Sequence, residues 1–72
     1  MKTQIFSAII HKEADLYVAD CPEVGTVSQG LTIEEALENL KEATELYLSE
    51  FPLPNKSTTL LTTFEAEYAK AA

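Results

Sequence analysis

The sequence predicts an α+β fold, a two-layer sandwich in the order β-β-β-α-β. Three observations predict it. Between residues 3 and 29 lie three short runs rich in β-branched and aromatic residues, separated by turn signals. From Ile33 to Glu50 apolar residues recur at helical spacing. After Pro52 and Pro54 the composition returns to that of a strand, from Thr58 to Tyr68.

The first run, Thr3 to Ile10, has strand length. Its alternating sets are Ile5, Ser7, Ile9 and Phe6, Ala8, Ile10. Both sets are largely apolar, so both faces of this strand ask to be covered. The polar run His11-Lys12-Glu13-Ala14-Asp15 reads as a turn, and Leu16 to Ala19 as the second arm of a hairpin. Asp20-Cys21-Pro22 ends that arm, because proline cannot donate to a ladder. Thr26 to Gln29 is a short third strand, and Gly30 breaks it.

The helix start is the clearest local signal. Thr32 and Glu35 form a capping box, with the hydroxyl accepting from the Glu35 amide and the carboxylate reaching back to the Thr32 amide. Ile33, Ala36, Leu37, Leu40, Ala43, Thr44, Tyr47, Leu48 and Phe51 define one broad apolar face. Glu34, Glu35 and Glu38 suit the positive end of the helix dipole, and Pro52 and Pro54 stop the helix. In the final run, Leu60 and Phe64 share one face, while Leu61, Glu65 and Glu67 share the other. One helix covers only one face of a sheet. The remaining apolar positions, with Leu46 on the far side of the helix, therefore call for a second chain.

Length and charge bound the rest. With 72 residues the chain is one small domain, residues 1–72. A domain of this size buries only about 60% of the surface its unfolded chain exposes. Cys21 is the sole cysteine, which excludes an internal disulfide, and with His11 as the sole histidine a cysteine–histidine zinc site is excluded too. Oligomerisation or partner binding is then the expected source of added stability. Hydrophobic residues make up 46% and charged residues 24%, the balance of a folded soluble domain. Five lysines face twelve carboxylates for a net charge of −7. Such a body repels phosphates, so direct binding of nucleic acid or of an anionic membrane is not expected. No apolar stretch approaches membrane-spanning length and no signal peptide is visible, so the expected location is cytoplasmic.

Catalytic patterns are weak. His11 and Cys21 read as a turn histidine and a strand-end residue, because no orienting residue or oxyanion loop accompanies them. Metal-dependent phosphodiester hydrolysis needs several acids converging from different strands, and the first two strands carry none before Asp20. Gly25 and Gly30 fit neither nucleotide fingerprint. No enzymatic activity, cofactor or metal is expected. Glu34, Glu38, Glu42 and Glu45 recur along one side of the helix, either as a solvated face tempered by a Lys41–Glu45 pair or as a docking strip for a basic protein.

The order and spacing of several segments resemble the HicB antitoxin family. They are Tyr17-Val18-Ala19, Cys21-Pro22-Glu23, Gly25, Ser28-Gln29-Gly30, Thr32 through Ala43, and Glu45-Leu46-Tyr47-Leu48. The resemblance spans roughly residues 2 to 50. It implies a partial RNase H-like fold with sheet order 3-2-1-4, the last strand lying parallel to the first through a right-handed crossover. It also implies an antitoxin of a type II toxin–antitoxin system that neutralises HicA, a small basic mRNA-cleaving ribonuclease, and that assembles as a dimer or tetramer. Many members carry a C-terminal DNA-binding segment; none is expected here. Asp20 and Glu23, flanking the Cys-Pro loop, and Glu34 and Glu38, near the helix start, are the expected contacts for the basic partner. The alternative is a stand-alone oligomeric scaffold without a toxin.

Overall fold

The computed structural model describes residues 3–52 and 60–69. The element order is β1 (Ile9–Glu13), β2 (Leu16–Cys21), β3 (Thr26–Gly30) and α1 (Ile33–Glu50). The strands form one antiparallel sheet in the order β1-β2-β3. The architecture is therefore α+β, a three-stranded sheet with one helix laid on it.

Glu13 pairs with Leu16, so the hairpin turn holds only Ala14 and Asp15. Ala14 adopts φ +54, the left-handed geometry such a tight connection demands and one that usually selects glycine. The first strand thus lies later in the chain than its composition suggests. His11, Lys12 and Glu13 belong to the ladder, although they read as a turn, and residues 3–8 do not. Ladder pairing tolerates polar side chains where they face solvent, which a polarity rule misses. Lys12 makes use of this position, its ammonium standing 5.7 Å from the centre of the Tyr17 ring.

Between β2 and β3 the chain turns through Pro22 to Gly25, where the Gly25 amide donates to the Cys21 carbonyl at 2.7 Å. Gly25 itself sits at φ +93, open to a glycine at little cost. Gly30 does not break β3 but closes it, paired with Tyr17. The reason is contact with the helix. A Cβ at Gly30 would lie 2.6 Å from the Ala36 amide nitrogen.

The helix covers the limits its periodicity sets. Thr32 is extended (φ −131, ψ 164) and its hydroxyl accepts from the Glu35 amide at 3.0 Å. The returning Glu35 carboxylate accepts from the amide of Leu31 at 2.7 Å, one residue earlier than the box expects. At the far end the Phe51 amide donates to the Tyr47 carbonyl at 2.8 Å before Pro52. The helix lies over β2 and β3. Ala19, Cys21, Ala36, Leu40 and Thr44 are buried between the layers, with Phe6, Ala8, Ile10, Tyr17 and Val24 packed around them. The Thr26 and Thr44 hydroxyls meet at 2.7 Å, so the polar pair in this core is satisfied.

The order β1-β2-β3 agrees with the first three places of the expected sheet. Its fourth place is not filled by described residues. Thr58 and Thr59 lie outside them, and Leu60 to Ala69 pair with no strand and are exposed throughout. Residues 3–8 accordingly have no neighbour on which to extend the ladder. Ile5 stands 95% exposed, so the first strand region is not covered on both faces by its own chain.

Candidate functional site

The sheet register decides which side chains share a surface. Ala19 and Cys21 of β2 point under the helix. The alternate residues Val18 and Asp20 therefore face away from it, beside His11 and Ile9 of β1 and Gln29 and Val27 of β3. Two contacts place the ionisable groups of this open face. His11 Nε2 lies 2.9 Å from Glu13 Oε2, and His11 Nδ1 lies 3.9 Å from Asp20 Oδ2. The open face is thus apolar at Ile9, Val18 and Val27, with a small acidic–imidazole group across it.

The β2–β3 turn brings a different acid inward. The Glu23 carboxylate accepts from the Ser7 amide at 2.9 Å and from the Cys21 thiol at 3.4 Å. Hydrogen bonds from Ser7, hydroxyl and amide, outweigh a desolvation cost and hold the Glu23 carboxyl at about 2, well below the usual carboxylate range. The Cys21 thiol is pushed up, first by burial and further by the Glu23 carboxylate beside it. Such a thiol is a weak nucleophile. The sheet also separates Cys21 from His11, which lies on its opposite face, so these two residues form no dyad. Among the described residues no group of three His, Cys, Asp or Glu side chains converges on a point that could hold a metal ion.

The third acidic surface is the solvent side of the helix. Glu34, Glu38, Glu42 and Glu45 are all exposed and fall on one stripe, about one turn apart. The expected Lys41–Glu45 ion pair is not among the contacts formed by the described residues. Leu46 lies on this outer side too, 70% exposed. Asn39 donates to the Gln29 carbonyl at 2.8 Å and ties the helix flank to β3.

The four acids singled out from the sequence therefore occupy three places. Glu34 and Glu38 stand together on the helix. Asp20 is on the open face of the sheet, across the molecule from them. Glu23 sits in the β2–β3 turn, where its carboxylate fastens the segment before β1. A hydrogen bond between residues 16 apart in sequence leaves no local signature, so composition and spacing do not announce that role. The Asp20–His11 proximity does follow from alternation once the correct register of β1 is known.

No family model matches the chain, and no solved structure does. Among curated proteins, a UPF0150 protein of Helicobacter pylori is 49% identical over 47 residues, 64% of this chain and 65% of that protein. The chain thus spans slightly less than two thirds of that relative. A UPF0150 protein of Synechocystis is 36% identical over 59 residues, covering 79% of this chain and 86% of the relative. That coverage reaches well beyond the helix and the hairpin taken singly, and on it the chain belongs to the UPF0150 family.

Proposed function

We propose that this protein is a HicB-like antitoxin that binds a small basic ribonuclease of the HicA type and blocks its access to RNA. The observation that carries the reading is the helix stripe of Glu34, Glu38, Glu42 and Glu45, exposed on a chain of net charge −7. An RNA-cleaving enzyme must present cationic groups to phosphates, and a rigid row of carboxylates competes for those groups. A helix is a suitable carrier because it fixes the spacing of the charges. The resemblance of residues 2 to 50 to HicB antitoxins, a group that the UPF0150 family includes, supports the same reading. Asp20, on the opposite sheet face, would contact the toxin only if the partner wraps around the molecule, so Glu34 and Glu38 are the principal contacts.

The test uses the purified protein and the small basic protein encoded beside its gene. Titrating the first into an RNA-cleavage assay of the second should abolish cleavage near equimolar ratio. Reversing two charges with Glu34→Lys and Glu38→Lys should raise the concentration needed by about tenfold or more. Cleavage that continues undiminished at excess protein would reject the proposal. The absence of such a neighbouring reading frame would favour the stand-alone scaffold, for which the exposed apolar residues of the C-terminal segment speak.

A further inference from the structure

We propose that residues 60–69 complete the sheet of a second copy of this chain, each copy donating its segment to the free edge of β1 in the other. Two unsatisfied surfaces carry this inference. The first is the edge itself. Among the described residues β1 is paired with β2 on one side only, and residues 3–8 ahead of it have no ladder partner. An unpaired row of backbone donors and acceptors is a template for another strand. On the helix side of this edge Phe6, Ala8 and Ile10 are only partly covered.

The second surface is the segment from Leu60 to Ala69. Alternation sorts it into two faces. Leu60, Thr62, Phe64, Ala66 and Tyr68 form one, and Leu61, Thr63, Glu65 and Glu67 the other. This is the pattern of a strand with one covered face. Yet Leu60 is 86% exposed, Phe64 88% and Tyr68 87%. Laid along β1, the apolar set would continue the layer of Phe6, Ala8 and Ile10, and the two glutamates would face water. The polar satisfaction of the edge and the burial of the rings are achieved in one step.

The occupant is a second copy for reasons of geometry and size. The segment leaves its own edge unused, and the Cα radius of gyration is 15.1 Å, against roughly 11 Å for a compact chain of this length. Pro52 follows the helix cap and disfavours helical geometry at Phe51, which sits at φ −131 and ψ 78, so the helix does not run on towards the segment. Phe and Tyr side chains each bury about 150–250 Å². Reciprocal exchange brings two of each, with their leucines, which reaches the scale of a stable interface of about 1,600 Å². The exchange is two-fold and closes on itself, so it stops at a dimer. It uses the β1 edge and leaves the glutamate stripe of the helix free, and it does not depend on the identity of any toxin.

The experiment mixes isotope-labelled and unlabelled chains, unfolds and refolds them together, and records isotope-filtered cross-peaks alongside sedimentation. The expected result is a dimer whose filtered spectrum connects the Phe64 ring to Phe6, Ala8 or Ile10 of the other chain. Phe64→Asp should raise the dimer dissociation constant about a hundredfold while the far-ultraviolet signal of the helix persists. Cross-peaks confined to one chain would overturn the proposal in favour of closure within a monomer. A monomer at tens of micromolar, or a dimer without these cross-peaks, would overturn it as well. So would a Phe64→Asp chain that associates as tightly as the parent.

Discussion

At Gly30 the helix comes so near the sheet that hydrogen is the largest group that fits. Strand β3 could carry a larger residue there on backbone grounds, since its φ is not left-handed. The constraint is the Ala36 amide and the Glu35 backbone opposite it, 2.6 and 2.9 Å from the point where a methyl carbon would stand. Gly30→Ala should therefore destabilise the fold by about 1–3 kcal/mol, measured by urea unfolding at fixed slope. A variant as stable as the parent would mean that the helix start shifts freely. Glu23 gives a residue-level prediction in pH. Its carboxyl is held at about 2 in the folded protein against an ordinary 4.5. A depressed carboxylate contributes stability that is present above the unfolded value and is lost as pH falls through the folded one. Melting temperatures of the parent and of Glu23→Gln should differ most above about pH 5 and converge towards pH 2. A constant difference over that range would show that the Ser7 contact is not the origin. Neither role is legible in the sequence, because both depend on residues that only the folded chain brings together.

Elements are legible in proportion to how much of their stability is local. The helix carries its own instructions: a capping threonine, an apolar stripe and a proline stop. Its limits match the structure, Ile33 to Glu50. Thr32→Ala removes the hydroxyl that accepts from Glu35 and should cost about 1 kcal/mol, seen as a lower urea midpoint. Thr32→Ser should restore most of it, which separates the cap from the methyl group. Strands depend on neighbours instead. β2 lies between two partners and begins where its pattern says, at Leu16, although it runs on to Cys21. For β1 the pattern points too early in the chain, because the apolar stretch from Thr3 to Ile10 looks more strand-like than the paired residues do. The ladder is fixed by the two-residue turn at Ala14 and Asp15, and a left-handed alanine gives no compositional warning. Thr58 to Tyr68 has the right alternation for a strand, but alternation supplies no partner, and Leu60 to Ala69 are unpaired.

For the whole molecule, charge is the most readable property and its placement the least. A net charge of −7 follows from counting. The division of the acids into a helix stripe, an open sheet face and a turn follows only from the fold. Under the antitoxin proposal, recognition is governed by exposed carboxylates, and exposed charges are screened within about 8–10 Å at physiological salt. Association with a basic partner should therefore slow steeply as salt rises, with dissociation changing less. Stopped-flow rates at increasing ionic strength would check this. Rates indifferent to salt would assign the interface to the apolar residues Ile9, Val18 and Val27 on the open face. Among the described residues no helix is long and apolar enough to cross a membrane.

Among the described residues few are fully buried between helix and sheet: two alanines, a cysteine, a leucine and a threonine, with partly covered neighbours around them. Neither layer has enough dry surface to persist once the other departs. The three strands and the helix should accordingly melt as one cooperative body. Ellipticity, which reports the helix, and the emission of Tyr17 in a chain carrying Tyr47→Phe and Tyr68→Phe, which reports the sheet, should trace a single superimposable curve in denaturant. Two separated midpoints would reveal a hidden reserve of cohesion in one layer.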